Sequence, residues 1–264
     1  MEFAKRKRRR IIGNLSTLVV LGVLSYFAAI ACKVNAKDFV DGIPSGIQFL
    51  GFMFPPDWSA FTEMLIPAFE TVLLAFLATI FGGILSLFFG LAAATNLAPK
   101  WLRNTSRFLL TVERALPEII IILLLISALG LGAFPGVIAL SIGCIGMLGK
   151  LFADAIEEIN PKLLESIASV GGNKIQVIFF GVIPEVLPAI ITNTIFRFEI
   201  NIRLSVLIGA VGAGGIGYEL YHSFNVLEYE RATMAILITL GLVFISERLS
   251  THLRKKFTIE KKAA

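Results

Sequence analysis

Residues 160–184, NPKLLESIASVGGNKIQVIFFGVIP, decide how the rest of this chain is read. They form a polar, amphipathic segment between two strongly apolar ones. Pro161 suits the first turn of a helix, where its missing N–H would be unpaired anyway. Leu163, Leu164, Ile167 and Ala168 then recur at helical spacing and give that helix one apolar stripe. Gly171-Gly172 ends it, because glycine tolerates the left-handed cap conformation. A second amphipathic run over 175–182 leads to Pro184, which can open the following helix. A short exposed helix with an apolar stripe and an acid, Glu165, is a knob suited to a groove on a partner. The alternative is a helix lying on lipid headgroups.

The flanking sequence is that of a membrane protein. The chain is 56% hydrophobic and 16% charged, with mean hydropathy +0.82, whereas soluble domains carry roughly 25% charged residues. Apolar stretches near the ~20 residues that cross a bilayer predict six spans, at about 11–32, 66–97, 108–131, 136–153, 185–210 and 232–249. Pro67 should separate a short interfacial helix from the second span. The apolar tract 119–149 is split at residues 130–136, GLGAFPG, so the third and fourth spans read as a hairpin with a tight outside turn. The expected organisation is a basic tail (1–10), an anchor helix (11–32) and an extracytoplasmic loop (33–64). A transmembrane domain (65–250), including the 160–184 loop, and a second basic tail (251–264) follow.

Lys and Arg near span ends are retained in the cytoplasm. Residues 5–10 are all basic, and Lys100, Arg103, Arg107, Lys150, Lys162, Lys174, Arg254, Lys255, Lys256, Lys261 and Lys262 follow on the same side of an alternating topology. The opposite loops hold Lys33, Lys37 and, at a border, Arg231. Six spans with both termini cytoplasmic satisfy this pattern and place 160–184 in the cytoplasm. The net charge of +5 is then a topology signal, not a nucleic-acid footprint. The first apolar stretch exceeds the ~7–15 residues of a cleaved signal, so it reads as an uncleaved anchor despite a lipoprotein-like Ala29-Ile-Ala-Cys32. Cys32 and Cys144 are too few and too separated for a disulfide framework or a metal site.

Several motifs mislead. Residues 212–217, GAGGIG, fit G-x-G-x-x-G, but that pattern has force only after a strand in a βαβ unit. Gly149-Lys150 evokes a phosphate-binding loop, yet Cys144 stands where its first glycine belongs and Leu151 where Ser or Thr would hold Mg²⁺. His222 and His252 have no partner pattern for metal binding or nucleophilic catalysis.

The fifth span carries Arg197, Glu199, Asn201 and Arg203. A charge near the bilayer centre costs roughly 2.5–3.5 kcal/mol on insertion scales, so such groups face protein or water. Glu199 and Arg203 are four apart in the favourable order for an ion pair. One reading is a structural pair; the other has Arg197 or Arg203 presenting charge to an anionic substrate. Glu113, Arg114 and Glu118, at the inner end of the third span, line an inner mouth or pair among themselves. Gly209, Gly212, Gly214, Gly215 and Gly217 permit the strained backbone that membranes tolerate only beside protein or water, and suit an outer gate. Gly143, Gly146 and Gly149 read as close helix packing.

Over nearly its whole length the chain resembles the permease subunit of phosphonate importers, of the type I ABC importer class. The carrying residues are 53–57 (MFPPD), 115–118 (ALPE), 184–188 (PEVLP), and above all 196–203 (FRFEINIR) with 209–217 (GAVGAGGIG). The 160–184 loop matches the ATPase-gripping pattern of import permeases at Glu165, Gly171 and Ile183-Pro184. It departs at Ser166, Ile167 and Gly181, where Ala, Ala and Ile are usual. The resemblance implies an all-α membrane protein of six transmembrane helices with the methionine-permease-like fold, in the bacterial inner membrane and embedded in lipid. It implies a homodimer, two ABC ATPase subunits gripping Glu165, Ser166, Ala168, Gly171, Gly172 and Pro184, and an extracytoplasmic binding protein. ATP and Mg would be bound by those ATPase subunits; this chain would hold no cofactor and catalyse nothing. Phosphite, hypophosphite and phosphate permeases share the type, and a methionine permease is a looser match. An ion-coupled secondary transporter should show internal repeats, and none is visible.

Overall fold

The computed structural model describes residues 2–263, with side chains over 13–35 and 37–256. The basic residues of the 1–10 tail and Lys261 and Lys262 therefore lie outside the described side chains. Among the described residues every regular element is helical. The contacts divide the chain into a unit ending at Phe52 and a larger one beginning at Met53.

The first unit holds α1 (Glu2–Ala31), apolar over Gly13–Ala31, and most of α2 (Ala36–Met53). The stretch 33–64, expected as a loop, is therefore largely helical. Asn35 accepts from the Lys37 N–H at 3.0 Å and starts α2. Phe39, Val40, Ile43, Ile47 and Leu50 then follow at helical spacing.

The second unit is a bundle around α3 (Phe61–Ala93), α6 (Ala133–Glu157) and α9 (Ile183–Ile208). A one-turn 3₁₀ helix, Trp58–Ala60, precedes α3 and is capped by the Asp57 carboxylate, which accepts from the Ser59 N–H at 2.9 Å. Pro67 does not divide α3, contrary to expectation: it lies inside one 33-residue helix. Its ring removes the donor that would reach the Glu63 carbonyl and crowds that carbonyl, but neighbouring Met64 and Ala68 are buried against Ile216, Met234 and Ala235. Tertiary packing outweighs the local cost of the proline.

Ala75, Ala78, Gly82, Ser86, Gly90 and Ala93 give α3 a buried face of small residues. The larger Cys144 and Phe152 of α6 sit on it: a Cβ on Gly90 would stand 2.8 Å from that of Phe152. Small residues that let backbones approach are how membrane helices gain packing energy.

The expected third span, 108–131, is two helices. α4 (Lys100–Ala115) and α5 (Glu118–Leu129) are separated at Leu116-Pro117, with Leu116 extended at φ −90°, ψ 123°. Proline forces its predecessor out of the helical region. The 12-residue α5 is about 18 Å long at 1.5 Å per residue, short of the roughly 30 Å hydrocarbon core. Five helices among the described residues are long and apolar enough to cross a membrane, with α5 as a shorter apolar piece.

The chain continues through α7 (Pro161–Ser169), α8 (Lys174–Val177), a π turn (Ile178–Val182) and α9. A second π turn (Gly209–Ala213) leads to α10 (Gly215–Asn225) and α11 (Tyr229–Ala263). The first π turn lies just before Pro184, which has no N–H to continue the α-helical ladder.

Candidate functional site

Three places in the second unit collect the polar chemistry: the middle of α9, the glycine turn after it, and the segment built around α7.

At mid-length α9 presents two polar faces, because residues two apart point about 200° apart on a helix. Arg197 and Asn201 turn toward α3, α5 and α6. The Arg197 side chain is 4% exposed, with Nη2 3.8 Å from Glu118 Oε1. Its Nε donates to Cys144 Sγ at 3.4 Å and Nη1 to Met147 Sδ at 3.5 Å, while Nη2 has no hydrogen-bond partner. Thioether and thiol sulfurs are weak acceptors, so this buried cation is thinly compensated. Asn201 is fully buried and donates through Nδ2 to Thr79 Oγ1 at 2.8 Å and to Cys144 Sγ at 3.1 Å; its Oδ1 is unpaired.

On the other face Glu199 Oε1 accepts from Arg203 Nη2 at 2.7 Å. The pair is not isolated. Arg254 of α11 brings Nη2 to 3.6 Å of Glu199 Oε2, and Glu247 lies 3.6 Å from Arg203. Glu199 is thus a buried acid between two arginines of different helices. Arg254 also stacks over Phe196 at 5.3 Å.

Gly143, Gly146 and Gly149, three apart on α6, form the trough that receives the α4–α5 break. A Cβ on Gly143 would stand 2.9 Å from Arg197 Nη2 and 3.2 Å from Glu118 Cγ. One on Gly146 would overlap the Glu113 carboxylate and lie 2.8 Å from Arg114 Cγ, and one on Gly149 would lie 2.8 Å from Leu110 Cδ2. Close packing is their geometry, and what packs there is largely charged. Glu113, Arg114 and Glu118 are not paired with one another within 4 Å; Glu118 turns to Arg197.

The turn over 209–217 is held at the opposite end of the bundle from α7. Gly212, Gly214 and Gly215 have φ of +110°, +86° and +71°, which side-chain-bearing residues rarely adopt. The Gly212 carbonyl accepts from the Gly132 N–H at 2.9 Å, tying the turn to the start of α6. Gly209 and Gly217 pack against each other's backbone. Glu70 and Thr71 of α3 accept from the Gly215 and Ile216 N–H groups at 3.0 and 2.9 Å, capping α10.

The α7 segment is shaped by two glycines. Gly171 at φ +90° reverses the chain, and the Gly172 N–H donates to the Ile167 carbonyl at 3.2 Å. Asn173 and Gln176 form a reciprocal capping box that starts α8. Gly181 is the floor on which α7 rests: a Cβ there would stand 2.8 Å from Ile167 Cδ1 and 3.3 Å from Leu164 Cδ2. Leu164 also packs against the cluster of Ala94, Ile156, Ile159, Val182 and Val186. Glu165, Ser166, Ala168 and Val170 face outward. Pro184 sits in the first turn of α9. Nearby, Glu157 holds Arg107 and accepts from the Thr95 N–H at 2.7 Å, closing the α3–α4 connection onto α6.

Several of these residues escape sequence reasoning. Thr79 and Cys144 read as ordinary span residues, and Arg254 as a tail charge. Glu70-Thr71 was visible as a polar interruption of an apolar run. Gly181 was visible as a departure from the usual isoleucine.

Residues 86–259 match the family described as the binding-protein-dependent transport system inner membrane component. The phosphite transport system permease protein PtxC of Stutzerimonas stutzeri is 34% identical over 240 residues, 90% of this chain and 87% of that protein. The phosphate-import permease protein PhnE of Mycolicibacterium smegmatis is 36% identical over 231 residues, 87% of this chain but 43% of that longer protein. Among solved structures, an inward-facing conformation of the MetNI methionine ABC transporter aligns with TM-score 0.64 at 20% identity, covering 74% of this chain and 95% of that one. A bacterial alginate ABC transporter in complex with alginate pentasaccharide-bound periplasmic protein aligns with TM-score 0.59 at 17% identity, covering 92% and 97%. These structures share the fold. With two thirds of its length matched to the family and a relative this similar over most of both chains, this protein belongs to the inner-membrane components of binding-protein-dependent transport systems.

Proposed function

We propose that this chain is the permease of an ATP-driven importer that takes up a phosphorus oxyanion or phosphonate delivered by an extracytoplasmic binding protein. Two copies form the pathway, and two ABC ATPase subunits dock on 160–184 from the cytoplasm, which also holds both termini. ATP and Mg bind to those subunits, whose closure switches the permease between outward and inward access. The observation that carries this reading is the α7 knob, standing on Gly171 and Gly181 with Glu165, Ser166 and Ala168 outward, in a chain of this family. A short helix fixed to the bundle on one face and free on the other transmits a push to α9 through the continuous α8–α9 backbone.

Arg197 is the pathway residue in this scheme. Its charge is thinly compensated by one carboxylate at 3.8 Å and two sulfurs, so an oxyanion can compete for it with charge-assisted hydrogen bonds. Glu199 and Arg203 hold α9 to α11, Glu113, Arg114 and Glu118 form the inner mouth, and the 209–217 turn is the outer gate. The substrate class is supported by the names of the phosphite and phosphate relatives.

The test is uptake in cells stripped of their own phosphorus transporters. The chain, with its ATPase and binding protein, should import at least one of labelled phosphite, methylphosphonate or phosphate in an ATP-dependent way. Methionine uptake with none of these three would overturn the substrate class and leave the permease reading standing.

A further inference from the structure

A cavity of about 210 Å³ opens between α4 and α6 near the α7 end of the bundle, with Ala93 and Ala153 at its walls. Its charged lining is Arg107, Arg114 and Lys150, and among the described residues no acidic side chain lines it. The cations are held in place. Arg107 donates through Nε to the Ala93 carbonyl at 2.9 Å and through Nη2 to Glu157. Lys150 donates to Asp154 at 2.6 Å. The Arg114 stem lies across Gly146, and its guanidinium has no ion-pair partner within 4 Å among the described residues.

Guanidinium carries five donors and ammonium three. The contacts above use two on Arg107 and one on Lys150, so most of the donors around the cavity remain for an occupant. That occupant must supply acceptors and negative charge. Tetrahedral phosphate is small enough for the volume and matches the planar fork of an arginine bidentately. Leu110 forms an apolar wall beside the cations, as a lipid glycerol backbone or an alkyl substituent would require. We propose that this cavity binds a phosphate-type oxyanion, supplied by the headgroup of an acidic phospholipid or by a free phosphorus oxyanion. Basic pockets between membrane helices are where acidic headgroups lodge. The inference stands apart from the transport reading, because both sources are tested on the chain without ATP or other subunits.

The full chain is purified in detergent and delipidated. Phosphatidylglycerol and phosphatidylcholine adducts are compared by native mass spectrometry, and inorganic phosphate is titrated by calorimetry. Arg114→Gln removes the unpaired cation and should weaken binding of the headgroup or of phosphate by about tenfold or more, the scale of one charge-assisted hydrogen bond. Selective loss of phosphatidylglycerol adducts identifies a lipid site; loss of phosphate affinity identifies a free-anion site. Lys150→Gln, on the opposite wall, must give the same direction and decides the matter if Arg114→Gln fails to elute as a folded species. Absence of both ligands from the wild-type chain, or equal binding by wild type and folded variants, overturns the proposal.

Discussion

Gly143 of α6 lies directly beneath Arg197 of α9: a Cβ at position 143 would stand 2.9 Å from Nη2. The neighbouring atoms are the head of a buried arginine and Cγ of Glu118, and neither can retreat without leaving the other partly uncompensated. Gly143→Val should therefore lower the thermal midpoint of the purified chain, consistent with about 1–3 kcal/mol for overpacking. Gly241→Ala, in α11 where nothing lies within 4 Å, is the control and should not lower the midpoint, since alanine is the better helix former. An unshifted midpoint for Gly143→Val would show that Arg197 is not held where it is described.

The two polar faces of α9 should separate genetically. Arg197→Ala should assemble with its partners yet transport poorly, and Arg197→Lys should keep part of the uptake by keeping the charge. Normal uptake in well-expressed Arg197→Ala would remove it from the pathway.

Glu199→Ala should instead reduce the amount of folded protein, because it removes the buried carboxylate that Arg203 and Arg254 share. The double change Glu199→Ala with Arg203→Ala should recover only part of the loss. Full recovery in the double mutant would show that Arg254 contributes nothing to the cluster.

The α7 segment gives a sharper test of coupling than a deletion. Gly181→Ile puts a branched side chain where Ile167 and Leu164 now rest and should lift α7 from the bundle. Gly171→Pro removes the donor to the Ala168 carbonyl and forbids φ of +90°. Each should reduce ATPase co-purification while membrane insertion stays unchanged. Undiminished co-purification and uptake in both would move the dock elsewhere.

Orientation is open to labelling in a Cys32→Ser background, since Cys32 is exposed and Cys144 buried. Cysteines placed at Asp57 and His222 should react with an impermeant reagent added outside. Those at Asn104 and Lys174 should react only after permeabilisation. External labelling at 174 would overturn the topology and the docking proposal together.

The expected spans 136–153 and 185–210 each fall almost wholly within one helix, α6 and α9. Where the sequence was misread, a strong average hid a local signal. Pro117 stands inside the expected third span, 108–131, but Ile119 to Leu125 mask the helix break it imposes. Pro67 was weighted too heavily, because burial of Met64 and Ala68 is invisible to local propensity. In the candidate site the i,i+4 spacing of Glu199 and Arg203 was legible, as was the glycine periodicity of α6. The third member, Arg254, stands 55 positions from Glu199, and no periodicity connects residues on different helices. Glu118 was legible as a charge, but only the fold turns it toward Arg197.

The break at Leu116-Pro117 also constrains what can lie against it. No side chain caps the first amides of α5, and the Leu116 N–H turns back to the Glu113 carbonyl in the last turn of α4. The negative end of the α4 dipole adjoins the positive end of the α5 dipole, with Arg114 on the negative terminus and Glu118 on the positive one, each of the complementary sign. Backbone groups left open in this way are intolerable against hydrocarbon, where each costs several kcal/mol. Leu116 is nevertheless 47% exposed in the single copy. The break itself therefore does not face hydrocarbon: it lies against protein, water or the polar headgroup layer.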